Sequence, residues 1–305
     1  MGRAVPNEEG PDAGVAWHFG EPLREQRRLS AAQATVDLSH RPVFSITGPD
    51  RLTWLHAITS QSFEGLAPGV WTTAFVLDPN GRIEHVLAGT DDGETFWATT
   101  EPGHLDALLA WLRRMVFASR LELADASATH AFVIAGGPRI IPRDQLDAVL
   151  GEERAGTWAA EALRIASGQP RIFLDTDEKT IPNEVAMPDG LALGAGVHLQ
   201  KGCYRGQETV ARVHTLGRPP RRLTLLHFDG SDERLPEVGS EVLLDGRAVG
   251  RMGTSAIHHE LGPIGLALVK RNIPLEARLV VDGLVAAQEA IVDPEVGLHV
   301  RPQLR

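Results

Sequence analysis

Sulfur is nearly missing from this chain of 305 residues: it has one cysteine, Cys203. A lone thiol excludes an internal disulfide, a Cys-ligated zinc site and a self-held iron–sulfur cluster, all of which need several thiolates. It fits a reducing compartment. Long apolar runs are missing as well. None reaches the ~18 residues that a bilayer-spanning helix needs. Basic residues are the minority, 30 against 40 acidic ones, for a net charge of −10. That balance speaks against broad nucleic-acid binding, because phosphate contact needs a basic face. The opening MGRAVPNEEGPDAG is polar and has no apolar signal-peptide core. A disordered leader of about 15 residues on a cytoplasmic, membrane-free protein is the expectation.

What is present is enough for two or three domains with a sizeable core, needing neither disulfide nor metal. Residues 21–36 read as a helix of strong helix formers. RPVFSITG (41–48) alternates like a half-buried strand. PDRLTWLHAIT follows as a helix with Asp50 as its cap. The clearest hairpin is 72–90, two apolar runs around Asp78-Pro-Asn-Gly81. A strand (ETFWATT), a helix over 104–117 and a short strand (ATHAFVIAGG) come next. A helix over 155–167 stops at Gly168. The run 168–202 is loop-rich, and RPPRR (218–222) marks a boundary. Beyond it, short strands with Asp245-Gly246 and Asp282-Gly283 turns make a small all-β module. The mixed segment before it has α+β logic.

The thiol lies in LQKGCYRGQETVARVH (199–214). Gly202 and Gly206 make a turn that feeds a helix from about 204. Glu208 and Arg212 are then an i,i+4 pair of favourable order. Lys201, Arg205 and the helix N-terminus favour a thiolate at Cys203, and Glu208 opposes it. Two readings stay open: a small buried hydrophobe, or a reactive thiol. Cys/His catalysis with His198 or His214 lacks an orienting third group. His258-His259 are adjacent, which on a strand sends them to opposite faces, so a metal site is not expected. Trp54, Trp71 and Trp97 sit in apolar patterns and read as core.

Lys201-Gly-Cys-Tyr-Arg-Gly-Gln-Glu208 resembles the signature of the YgfZ family. ALRIASGQPRI (162–172), IPNEV (181–185) and the block 44–69 support the resemblance, which covers most of 36–222 and, more loosely, the β module. These are folate-binding proteins linked to assembly or repair of iron–sulfur clusters, related to the aminomethyltransferase (T-protein) of glycine cleavage. The resemblance implies an α+β, three-domain ring around a central hole. It places a discontinuous domain at 1–40 and 132–222, a second α+β domain at 41–131 and a β-barrel at 223–305, as a monomer. It also implies tetrahydrofolate or a derivative as cofactor, with folate, iron–sulfur client proteins or assembly factors as partners.

Cys203 is then the candidate catalytic residue. Glu184, Lys201, Tyr204, Gln207, Glu208, Arg212 and Glu84 are the candidate folate contacts, and no metal ligand is expected. Glu184 meets the pterin edge or is a solvated loop acid. Arg212 meets the folate tail or only pairs with Glu208. Arg218, Arg221 and Arg222 neutralise a polyglutamate tail or form a solvated linker. The transferases carry Gly-Gly-Ile-x-Asp-Asp where this chain reads Asn80-Gly-Arg-Ile-Glu84-His85. They carry a pterin-holding glutamate where this chain has Ala166. Both departures turn the expectation from aminomethyl transfer toward an accessory role. Transferase activity and a non-catalytic folate-responsive module remain the alternatives.

Overall fold

The protein is described by a computed structural model over residues 2–185, 196–230 and 234–295. Gly190 and Gly194 of the expected loop run lie outside the described residues. Two compact units form. The first takes 1–76, 85–163 and 192–204; the second takes 77–84, 164–191 and 205–305.

The first unit opens with a ribbon that pairs β1 (Val5–Pro6) with β2 (Ala16–His18). This corrects the expected disordered leader: the main chains of Asn7 and Val15 close the ribbon at 2.8 Å. Helix α1 (Pro22–Ser30) ends earlier than its composition suggests. Ala32 turns left-handed at φ 56, and the chain enters β3 (Thr35–Asp37), where Val36 is buried. Sheet pairing overrides the helix propensity of the intervening residues.

Strand β4 (Val43–Thr47) and helix α2 (Arg51–Ile58) follow. The expected cap does not form, because Asp50 turns away to bind the Arg120 guanidinium and main-chain N–H. Next come β5 (Thr72–Leu77), β6 (Ile83–Asp91), β7 (Thr95–Thr99), α3 (Leu105–Arg114) and β8 (Glu122–Asp125). The unit's remaining elements are β9 (His130–Ala135), β10 (Pro138–Pro142), α4 (Leu146–Leu150), β11 (Arg154–Ala155) and α5 (Thr157–Ala166), whose end passes into the second unit.

One sheet runs β5-β6-β7-β4-β8; the other runs β10-β9-β3-β11, with β3 and β11 parallel. Each has its own apolar core. Leu108 and Leu112 of the amphipathic α3 pack with Phe44, Ile46, Phe63 and Phe96 against the first sheet. The three tryptophans are packed as expected. Trp54 donates to the Met115 carbonyl at 2.8 Å, Trp71 stacks on Phe132 and Trp97 stacks on His130.

The second unit begins with the hairpin tip 77–84 and holds α6 (Pro182–Val185) and α7 (Gln207–Leu216). Its strands are β12 (Arg221–Phe228), β13 (Glu241–Leu244), β14 (Arg247–His258), β15 (Gly262–Lys270), β16 (Leu279–Val281) and β17 (Leu284–Ala290). They close into a barrel of order β12-β15-β14-β13-β16-β17. Both Asp-Gly turns have two positive φ angles, 50 and 74 at Asp245-Gly246 and 50 and 83 at Asp282-Gly283. That is the hairpin turn whose twist matches the flanking strands. Among the described residues no helix is long and apolar enough to cross a membrane.

Candidate functional site

In the second unit the hairpin tip and the start of α7 lock together through two glycines. The Asp78 carboxylate accepts the N–H groups of Asn80 and Arg82, each at 2.8 Å, which fixes the turn. Gly81 has φ 80, and a Cβ there would stand 2.6 Å from the Thr209 Cβ. Gly206 caps α7 at φ 79, and a Cβ there would stand 2.5 Å from the Asp78 carbonyl oxygen. Neither position tolerates a side chain. The interlock sets Arg205 against Glu84, Nη1 to Oε2 at 2.9 Å, with both side chains more than a third exposed. His85, beside Glu84, is buried and faces Trp111.

The motif that carries the thiol divides between the units, the first ending at Tyr204 and the second resuming at Arg205. In the first unit, Lys201 is buried and its Nζ donates to the main-chain oxygens of His56, Thr59 and Gln61. It thereby satisfies carbonyls at the C-terminal end of α2. Burial pulls its ammonium down to about 8. Tyr204 is buried beside it, Nζ lying 5.0 Å from the ring centroid, and burial pushes the phenol up to about 12. Cys203, between them, is exposed. This overturns the reading of the thiol as a buried hydrophobe. The Lys201 ammonium is committed to three carbonyls.

Helix α7 begins at Gln207, not 204, because Gly206 takes the left-handed cap. Gln207 is half-buried at its first position, and Glu208 and Arg212 are exposed and make no ion pair with each other. The expected i,i+4 pair does not form.

Glu184 lies elsewhere in the second unit, on α6, and is 1% exposed. It is no solvated loop acid. Its carboxylate accepts from Ile181 N and from Arg221 N, Nε and Nη2. Of the other three Arg221 contacts, two reach Asp177, the closest at 2.6 Å, and one reaches the Thr180 hydroxyl. Burial alone raises the Asp177 carboxyl, but hydrogen bonds from Arg221 and Thr180 hold it well below the usual carboxylate range. Both expectations for Arg221 and Arg222 fail. Arg221 is the hub of this acid pair, and Arg222 is wholly buried, donating to the carbonyls of Lys270, Arg271 and Ile273. Only Arg218 stays exposed, 3.8 Å from Glu295. The His258 and His259 rings lie 4.4 Å apart, since His259 is already past the end of β14. No group of three metal-ligating side chains occurs among the described residues.

Residues the sequence reading passed over complete the site. Beside Glu184, Asn183 donates to the Val210 carbonyl while its Oδ1 is buried without a donor. A cavity of about 490 Å³ is walled by Arg82, Ile83 and Glu84 of the hairpin tip, by Phe173, Thr176 and Asp177, and by Arg251 of β14. Asp177 was detectable from its turn spacing to Thr180. Phe173 and Arg251 carry no local signal.

Three comparisons bear on what the arrangement is. No family model matches the chain. It is 24% identical over 285 residues to an Arabidopsis thaliana protein named "putative transferase, chloroplastic", covering 78% of this chain and 65% of that one. It is 39% identical over 114 residues to the Escherichia coli tRNA-modifying protein YgfZ, 36% of this chain and 33% of that one. The matches thus span less than two thirds of either relative. The crystal structure of glycine cleavage system aminomethyltransferase T from Bartonella henselae superposes with a TM-score of 0.75 at 16% identity, covering 96% of this chain and 95% of that one.

Proposed function

We propose that this chain, a YgfZ-type protein with the aminomethyltransferase fold, binds tetrahydrofolate and serves as a cytoplasmic accessory factor for iron–sulfur proteins. The observation that carries the reading is the interlock of the thiol motif with the hairpin tip. It fixes the Glu84 carboxylate by Arg205 and leaves Cys203 exposed two residues away along the chain.

The residues present fit a pterin. Such a ring has a flat face and an edge of N–H donors. Phe173 offers a face, and Glu84 and Asp177 offer carboxylate acceptors on the wall. A volume of about 490 Å³ falls within the usual range of small-ligand sites. Glu184 contributes indirectly, since its oxygens are already filled by Arg221 and Ile181 and it holds the neighbouring loop in shape. Bound tetrahydrofolate would supply a nitrogen that accepts or releases a one-carbon unit. One thiol cannot hold a cluster by itself. Cys203 therefore acts with ligands from a client protein.

Aminomethyl transfer is the weaker reading. Glu84 is paired with the Arg205 guanidinium, and Ala166 supplies no carboxylate. Calorimetric titration with tetrahydrofolate tests the reading directly, with Glu84→Ala and Phe173→Leu expected to weaken binding. Saturable heat that both variants leave unchanged, or no heat at all, rejects the folate site. In a deletion strain, Cys203→Ser is expected to leave iron–sulfur enzyme activity unrestored. Full restoration removes the thiol from the proposal. Measurable methylenetetrahydrofolate from an aminomethyl-lipoyl carrier would restore the transferase reading.

The Escherichia coli relative's name favours a second reading, a role in tRNA modification. A net charge of −10 opposes a direct grip on tRNA phosphates, so such a role would run through a modifying enzyme. Unchanged modified-nucleoside content in tRNA from a deletion strain would dismiss it.

A further inference from the structure

We propose that the cavity of the second unit is a binding site for an oxyanion, a carboxylate or phosphate borne on a ligand with a flat apolar portion. Two guanidinium groups without a carboxylate partner on one cavity wall concentrate uncompensated positive charge there. Arg82 and Arg251 are such a pair, and both line this one cavity. Among the described residues, neither makes an ion pair. The Arg82 side chain makes no hydrogen bond there. Arg251 gives Nη1 to the Leu174 carbonyl at 3.0 Å, and more distantly to that of Met252, leaving Nε and Nη2 unused. A guanidinium with spare N–H groups is a forked receptor for a carboxylate or phosphate.

The neighbouring acids do not fill that role. Asp78 is spent on its own turn, Glu84 on Arg205, and Asp177 on Arg221 and Thr180. Glu178 is the exception, pointing into solvent at 79% exposure with its nearest cation, Lys179, at 3.9 Å. It opposes an entering anion without cancelling either arginine.

A second feature of the wall is independent of charge. Phe173 is held at φ 83, a left-handed conformation that an aromatic residue rarely adopts. Its N–H is tied to the Thr176 hydroxyl at 2.8 Å, which keeps it there. Strained backbone maintained at a cavity wall is characteristic of ligand clamps. The ring therefore supplies the surface for the apolar part of the ligand, and the two arginines supply its anchor.

This inference rests on the cavity that the folate reading assigns, but its failure is distinguishable from that of the folate reading, because anions that contain no pterin test it. Calorimetric titrations of the full chain at low ionic strength would use tri-γ-glutamate and, separately, inorganic phosphate. The variants are the double substitution Arg82→Gln with Arg251→Gln, and Glu178→Gln, with circular dichroism to verify folding. One-to-one binding is expected in the wild type, a loss of about ten-fold or more in the double variant, and tighter binding in Glu178→Gln. Stronger binding of the glutamate chain supports a carboxylate source such as a folate tail; stronger binding of phosphate supports a phosphorylated ligand. No saturable heat from either anion, or equal affinity in the folded double variant, would overturn the site.

Discussion

Two arginine–carboxylate clusters in the same unit have opposite characters. Arg221 is enclosed by Glu184 and Asp177, and the Glu184 carboxylate accepts four hydrogen bonds of 2.9 to 3.1 Å. Arg205 meets Glu84 through one contact of 2.9 Å, and water reaches both. The first cluster has no capacity left for a ligand and serves to join α6 to the start of β12. The second gives little to the fold and can exchange partners. The comparison teaches that a carboxylate's part in structure or function is decided by how many donors already occupy it, not by its place in a motif.

Arg221→Ala is expected to have the largest effect. Removing one partner of a buried cluster leaves charge uncompensated, so a loss of about 3–5 kcal/mol is expected in urea unfolding. A loss under about 1 kcal/mol would put the node on a par with a surface pair. Gly206→Ala comes next. It forces a side chain into a left-handed cap and against the Asp78 carbonyl. About 2 kcal/mol of destabilisation is expected, with weaker tetrahydrofolate binding as the hairpin tip is displaced. Unchanged stability would refute the interlock.

Lys201 makes stability depend on pH. Its folded value, about 8, lies below the unfolded 10.5. Between those values the unfolded chain binds more protons, so this group makes stability rise with pH across that window. Unfolding midpoints at both ends of the window should show the rise in wild type and its reduction in Lys201→Met. An identical slope in the two proteins would disprove the assignment. The smallest effect belongs to the exposed pair. Glu84→Ala and Arg205→Ala should each change stability by no more than about 1 kcal/mol while altering ligand binding. A large stability loss would move this pair into the structural class.

Much of the fold was legible because it depends on short-range patterns. The 72–90 hairpin, the amphipathic helix inside 104–117 and the two Asp-Gly turns carry their signal within a few residues. Helix α1 was misread beyond Ser30 because its stop is imposed by the pairing of β3 with strands distant in sequence. The site was legible as a segment but not as an arrangement. Cys203, Lys201 and Glu84 were all found, yet nothing local shows that Lys201 turns inward onto carbonyls while Cys203 turns outward.

The 72–90 hairpin, the two Asp-Gly turns and the motif that holds the thiol follow from the sequence, because backbone sterics and apolar periodicity act over neighbouring residues. Which charges are spent and which are spare depends on long-range packing. RPPRR reads as one basic run, but Arg218 is exposed, Arg221 is locked to two acids and Arg222 is buried in main-chain carbonyls. Burial and hydrogen-bond partners come from residues far along the chain, and the free energy of a charge depends on them more than on its neighbours in sequence.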